Sequence, residues 1–163
     1  MNLTMGNLEV NTGDLLGAGG FGRVYRGRNK TTGEILAVKE IDCSRVAREK
    51  VLLEIKLMEF INGHPSFIGL RAAQEVTDTA SIYIFMELAE GGELFERVIR
   101  DGKLTEQEAT RYFSQIMSGV EQLHAQGIVH RDLKLENVRL PPPPLTPPGA
   151  VTSARAPPLR RCC

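Results

Sequence analysis

The chain has 163 residues, with 20 Lys plus Arg against 20 Asp plus Glu, and 42% of its residues are hydrophobic. That length suits one domain with a real core, and a formal charge of zero argues against a nucleic-acid binder or a polybasic membrane surface. No apolar run reaches the length of a membrane span, the start MNLTMGNLEV lacks a signal-peptide pattern, and Cys43, Cys162 and Cys163 make neither a disulfide framework nor a metal spacing. The expectation is a cytoplasmic chain, with the nucleus left open.

The averages hide a break. Residues 1–138 carry 16 basic and 20 acidic side chains, whereas residues 139–163 carry four arginines and no acid. Eight of the nine prolines fall in that last stretch, RLPPPPLTPPGAVTSARAPPLRRCC, which shows neither strand nor helix periodicity. The expectation is a folded domain over 8–138 and an extended, disordered Pro/Arg-rich tail over 139–163.

In chain order, Leu8 to Leu16 reads as a strand running into the glycines from Gly17 to Gly22, and Val24 to Arg28 resumes a strand. Thr31-Thr32-Gly33 is a turn, and Glu34 to Ile41 follows as a strand. Arg45 to Ile61 is predicted helical, from Val51, Leu52, Ile55, Met58 and Ile61 at helical spacing. Phe67 to Leu70 and Ser81 to Leu88 read as strands, and Glu93 to Ile99 as a short helix closed by Asp101-Gly102. Thr105-Glu106-Gln107-Glu108 is a capping-box signature for a longer helix that Gly127 ends. On that helix Ala109, Phe113, Ile116, Met117, Val120 and Leu123 form one apolar stripe, read as core packing.

Three segments carry chemistry. Gly17-x-Gly19-x-x-Gly22 is weak by itself: it fits a plain turn as well as a phosphate cradle. A dinucleotide fold needs a helix directly after the glycines, but Arg23-Val24-Tyr25-Arg26-Gly27 alternates like a strand, so the glycines sit in a hairpin. There they let backbone N–H groups approach a polyphosphate. Leu36-Ala37-Val38-Lys39 puts a lysine in an apolar strand, and Glu54, fifteen residues on in the helix, is placed to pair with it. His130 to Asn137 packs five ionisable residues and an amide into eight positions, with Leu133 and Leu135 between them, and reads as a buried loop holding polar groups at fixed angles.

The order G-A-G-G-F-G-R-V, L-A-V-K, a helical Glu, M-E-L, G-G-E-L-F and H-R-D-L-K-L-E-N resembles the eukaryotic protein kinases. Within them it is similar to the calcium/calmodulin-dependent and AMP-activated group of Ser/Thr kinases. The resemblance implies an α+β fold: a small lobe of antiparallel sheet plus one helix over about 8–88, and the first part of a helical large lobe over about 89–138.

It also implies roles. Gly17, Ala18, Gly19, Gly20, Phe21 and Gly22 would lie over the phosphates of ATP, and Val24 and Ala37 would cover the adenine. Lys39, paired with Glu54, would contact the α and β phosphates. Met86 would guard the back of the pocket, Glu87 and Ala89 would offer main-chain hydrogen bonds to the adenine edge, and Glu93 would meet the ribose and a basic substrate residue. Asp132 would accept the substrate hydroxyl proton, Lys134 marks the Ser/Thr version of the loop, and Asn137 would hold Mg²⁺. The implied partner is a protein bearing a Ser or Thr, with basic residues before the target that Glu136 also favours.

The chain departs from the family after Val138. Residues 139–163 contain no Asp, Glu or Phe, so the family's Asp-Phe-Gly motif cannot lie there, and the activation loop is absent too. Arg139 stands where the family usually has a leucine flooring the adenine pocket, and Pro141 to Pro144 remove backbone donors where a hairpin should pair. The expectation is a shortened Ser/Thr kinase, inactive as written, with the helix stripe left bare. The alternatives are a non-catalytic nucleotide- or partner-binding fragment, and, with least support, a tail whose Pro141-x-x-Pro144 engages an SH3-type domain.

Overall fold

The structure is a computed structural model that describes residues 2–20, 22–141 and 160–161. The chain divides into two compact units, one of residues 1–62 and 69–88, the other of residues 63–68 and 89–163.

The first unit is a six-stranded antiparallel sheet carrying one helix. Its strands are β1 (Asn2–Met5), β2 (Leu8–Gly19), β3 (Gly22–Asn29), β4 (Ile35–Asp42), β5 (Leu70–Val76) and β6 (Ser81–Glu87), in the order β1-β2-β3-β4-β6-β5, with α1 (Arg48–Phe60) between β4 and β5. Strand β1 was not expected from the sequence. It pairs Met5 with Leu8 across the two-residue turn Gly6-Asn7, where Gly6 takes φ +63; that turn is the signal that marks it.

Alternation along β4 sorts the side chains by face. Leu36 and Val38 go to one side and pack with Val10, Tyr25, Tyr83 and Phe85 in one core, each large apolar side chain contributing about 1.5–3 kcal/mol by leaving water. Ala37, Lys39 and Ile41 go to the other. Within that same unit α1 buries Val51, Ile55 and Met58.

Helix α1 starts at Arg48, later than the expected Arg45. Asp42 holds the preceding residues in a turn: its Oδ1 accepts from the Ser44 N–H at 2.8 Å and hydroxyl at 2.6 Å, and its carbonyl from the Val46 N–H at 3.1 Å. The strand expected over Phe67 to Leu70 is displaced to Leu70–Val76. Phe67 and Ile68 are buried outside any strand, while β5 is an edge strand whose exposed Arg71, Ala73, Gln74 and Glu75 hide the apolar alternation. Asn62 pins its start through hydrogen bonds to both main-chain groups of Leu70, each 3.1 Å.

The second unit contains α2 (Leu94–Asp101), α3 (Glu106–Ala125), and the two-residue strands β7 (Val138–Arg139) and β8 (Arg160–Arg161), which pair antiparallel. The Thr105 signature forms a complete capping box: the Glu108 N–H donates to Thr105 Oγ1 at 3.2 Å and the Thr105 N–H to Glu108 Oε2 at 3.1 Å. Leu94, Tyr112, Val138 and Leu140 are its buried cluster, with Val98, Leu104 and Ile116 against it.

The α3 stripe is not the core face expected. Tyr112, Gly119 and Leu123 are the buried residues, whereas Ala109 is exposed and Phe113 is 62% exposed. Buried and open stripes differ by a small rotation about the helix axis, which a list of apolar positions leaves free. The tail also differs from expectation at its start, since Arg139 pairs in β7 and Leu140 is buried. Residues 142–159, including Pro144 of the Pro141-x-x-Pro144 motif, lie outside the described residues.

Candidate functional site

The first unit gathers the expected nucleotide-holding residues on one face of the sheet. Val24 is opposite Lys39, and Lys39 is opposite Ile84. Ala37 is opposite Met86, and Gly17 is opposite Val24. Directly opposed residues of antiparallel strands present side chains to the same side, so Gly17, Val24, Lys39, Ala37 and Met86 share a face. Lys39 Nζ donates to Glu54 Oε1 at 2.6 Å, with both side chains largely shielded, 18% and 28% exposed. The ammonium is thereby held over an otherwise apolar face instead of reaching out from an edge.

The glycines form the tip of the β2–β3 hairpin, with Ala18 opposite Arg23 and Gly19 opposite Gly22. A Cβ built on Gly17, Gly19 or Gly20 would meet no atom of the chain within 4 Å. Nothing in the protein's own packing therefore requires glycine there. The space a Cβ would fill is left open, which is what backbone approach to a polyphosphate needs. Gly22 is different: at φ +131 its Cβ would come 2.0 Å from the Glu40 carbonyl oxygen, so that glycine is demanded by the fold. Phe21 lies outside the described residues.

Met86 is buried in β6. The Glu87 N–H already donates to the Gly69 carbonyl at 2.9 Å, so any main-chain contact Glu87 makes with an adenine edge falls to its carbonyl. That narrows the expectation. Ala89 belongs to the second unit and is half-buried.

In the second unit, residues 131–136 are all exposed, with Leu133 at 47% and Leu135 at 41%. The buried loop expected there is not found. The polar groups are fixed instead by their own hydrogen bonds. Asn137 Nδ2 donates to the Asp132 carbonyl at 2.7 Å and to its Oδ2 at 2.8 Å, and Lys134 Nζ lies 3.3 Å from Oδ1. The Asp132 N–H donates to the His130 carbonyl at 2.9 Å and lies 3.3 Å from His130 Nδ1. Arg131 takes φ +64, a left-handed conformation that costs a non-glycine residue about 1–3 kcal/mol. The Asn137 amide, and after it the Lys134 ammonium, hold the Asp132 carboxyl below the ordinary aspartate range.

Arg139 is not a stray charge: its Nη2 lies 2.9 Å from Glu93 Oε1. The pairing was not read from the sequence, although Val138-Arg139-Leu140 carries the signal. Val138 and Leu140 are buried at 1% and 8%, and strand alternation sends Arg139 the other way.

For a divalent cation, Asn137 supplies one neutral oxygen. Mg²⁺ is ordinarily held through one or two carboxylates plus substrate phosphates, and no group of three or more His, Cys, Asp or Glu side chains with metal-site geometry occurs among the described residues. These residues do not make a magnesium site, so no step is derived through the metal.

An open glycine hairpin, a lysine–glutamate pair on the adjoining sheet face and an aspartate aimed by an asparagine and a lysine define a phosphotransfer machinery. The chain belongs to the protein kinase family: the model described as "Protein kinase domain" matches residues 10–141. Among curated proteins it is similar to CBL-interacting protein kinase 16 of Oryza sativa subsp. japonica, 42% identical over 143 residues, covering 85% of this chain and 30% of that one. It is also similar to CBL-interacting serine/threonine-protein kinase 9 of Arabidopsis thaliana, 39% identical over 140 residues, covering 83% and 30%. The chain thus spans about a third or less of the length of these relatives.

Proposed function

We propose that the chain carries the nucleotide-holding and nucleophile-aiming residues of an ATP-dependent protein serine/threonine kinase. Lys39, oriented by Glu54, neutralises phosphate oxygens of ATP, and the side-chain-free hairpin at Gly17, Gly19 and Gly20 supplies N–H groups above them. Asp132 orients the Ser or Thr hydroxyl and takes its proton as the γ-phosphoryl moves. Lys134 offsets charge beside it. Phosphoryl transfer is mostly positioning and charge stabilisation, so fixed geometry at Asp132 matters more than its basicity. The observation that supports this best is the double hold on Asp132, with Asn137 on one carboxylate oxygen and Lys134 near the other.

We further propose that residues 1–163 do not turn over alone. No carboxylate side chain follows Glu136, and the metal that bridges the phosphates contributes orders of magnitude to such reactions. That same absence favours a second reading, a non-catalytic nucleotide-binding fragment. The test has two arms. A fluorescent ATP analogue titrated into the 163-residue chain should bind, and Lys39→Met should abolish binding. Transfer from radiolabelled MgATP to a serine peptide should stay at background for 163 residues and appear in a longer product that supplies an acidic metal ligand. An inert longer product that still binds ATP would leave the second reading standing, and no nucleotide binding in any form would remove both.

A further inference from the structure

We propose that Arg139 is an internal competitor seated on a guanidinium-accepting carboxylate, Glu93, and that it keeps arginine-bearing peptides off that site. The main chain around both residues is fixed. The Gly91 N–H donates to the Leu140 carbonyl at 3.0 Å and the Leu140 N–H to the Gly92 carbonyl at 2.8 Å, with Glu93 bridged to Arg139. The two segments approach so closely that a Cβ on Gly91 would come 2.1 Å from the Pro141 carbonyl oxygen. Arg139 lies between buried Val138 and Leu140, and Glu93 directly precedes Leu94, which is 1% exposed. The Glu96 carboxylate also accepts from the Glu93 N–H at 3.2 Å.

With both backbones anchored, the side chains are left facing each other. They remain open enough to exchange, at 37% exposure for Arg139 and 24% for Glu93. A carboxylate that already receives a guanidinium at 2.9 Å has the position to receive one from another chain. The incoming group must displace a tethered rival, present at an effective concentration on the order of millimolar. Because the pair is partly solvated its strength is modest, so Arg139 tunes access to Glu93 and does not seal it. The consequence for substrate choice rests on the phosphotransferase reading; the binding event does not.

The experiment compares the 163-residue chain, Arg139→Gln and the double variant Arg139→Gln/Glu93→Gln. The probe is a dye-labelled serine peptide with three arginines, set against the same peptide with citrulline at those positions, read by fluorescence anisotropy. Arg139→Gln should bind the arginine peptide about 5-fold more tightly than the parent, without change for the citrulline peptide, and the double variant should lose the gain. Equal affinities for parent and Arg139→Gln, a gain that survives in the double variant, or no measurable binding by any form would overturn the proposal. If Arg139→Gln loses its melting transition, Arg139→Met carries the same comparison. Affinity for the fluorescent ATP analogue is measured on the same samples. A parent chain that binds none counts against the phosphotransferase reading and leaves the Arg139 comparison intact.

Discussion

Lys39 and Glu54, fifteen residues apart in sequence, meet at 2.6 Å across the space between β4 and α1. The pair is mostly shielded, so removing one partner leaves a poorly solvated charge on the other. Glu54→Gln should destabilise the first unit by about 1–3 kcal/mol, between the values for exposed and fully buried pairs. It should also weaken nucleotide binding about ten-fold, equivalent to about 1.4 kcal/mol. Urea unfolding and nucleotide titration of the same sample check both effects.

The glycines of the hairpin divide by cause. Gly22→Ala forces a side chain into φ +131 and against the Glu40 carbonyl, and should cost about 2–4 kcal/mol or prevent folding. Gly17→Ala meets open space and should change stability by no more than about 0.5 kcal/mol, yet lower nucleotide affinity. Equal melting temperatures for the two variants would contradict this division.

Glu40 is clamped by two phenols: the Tyr83 hydroxyl donates to its Oε1 at 2.8 Å and the Tyr25 hydroxyl to its Oε2 at 3.2 Å. Burial, and then the hydrogen bond to Glu40, push the Tyr83 hydroxyl far above the ordinary tyrosine range. The folded state therefore keeps a proton that the unfolded chain releases. This contribution is complete below the ordinary tyrosine pKa of about 10 and is lost as pH rises above it. Tyr83→Phe should cost about 1–2 kcal/mol at neutral pH and flatten the alkaline fall in stability, as read from urea midpoints in steps from neutral to alkaline pH.

Asn137 is the main cause of the lowered Asp132 pKa. A lowered carboxyl stabilises the folded chain above the ordinary aspartate range, and that contribution fades as pH falls through the native value. Asn137→Ala should move the Asp132 titration upward toward about 3.9, and Lys134→Ala should move it less. Carboxyl carbon NMR against pH reads all three midpoints; identical midpoints would show that Asp132 is not held by these neighbours.

Much of the fold was legible because local chemistry states it. The capping box at Thr105, the glycine hairpin, the alternation through Val38 and the helical spacing of Val51, Ile55 and Met58 each act within a few residues. Edge strands were harder. A single covered face leaves β5 with too few apolar residues to show its period, and β1 is marked only by Gly6-Asn7.

By itself the sequence determined which residues this protein has for phosphate, adenine and hydroxyl chemistry, and their family, because those residue types occur in a fixed order around recognisable strands and helices. Tertiary structure alone decided how they are held. Register put Val24, Ala37, Lys39 and Met86 on one face, hydrogen bonding rather than burial fixed Asp132, and packing of Val138 and Leu140 turned Arg139 onto Glu93. Such outcomes depend on which distant backbone lies alongside, and no local pattern encodes a neighbour brought in from forty-six residues away, as Arg139 is to Glu93.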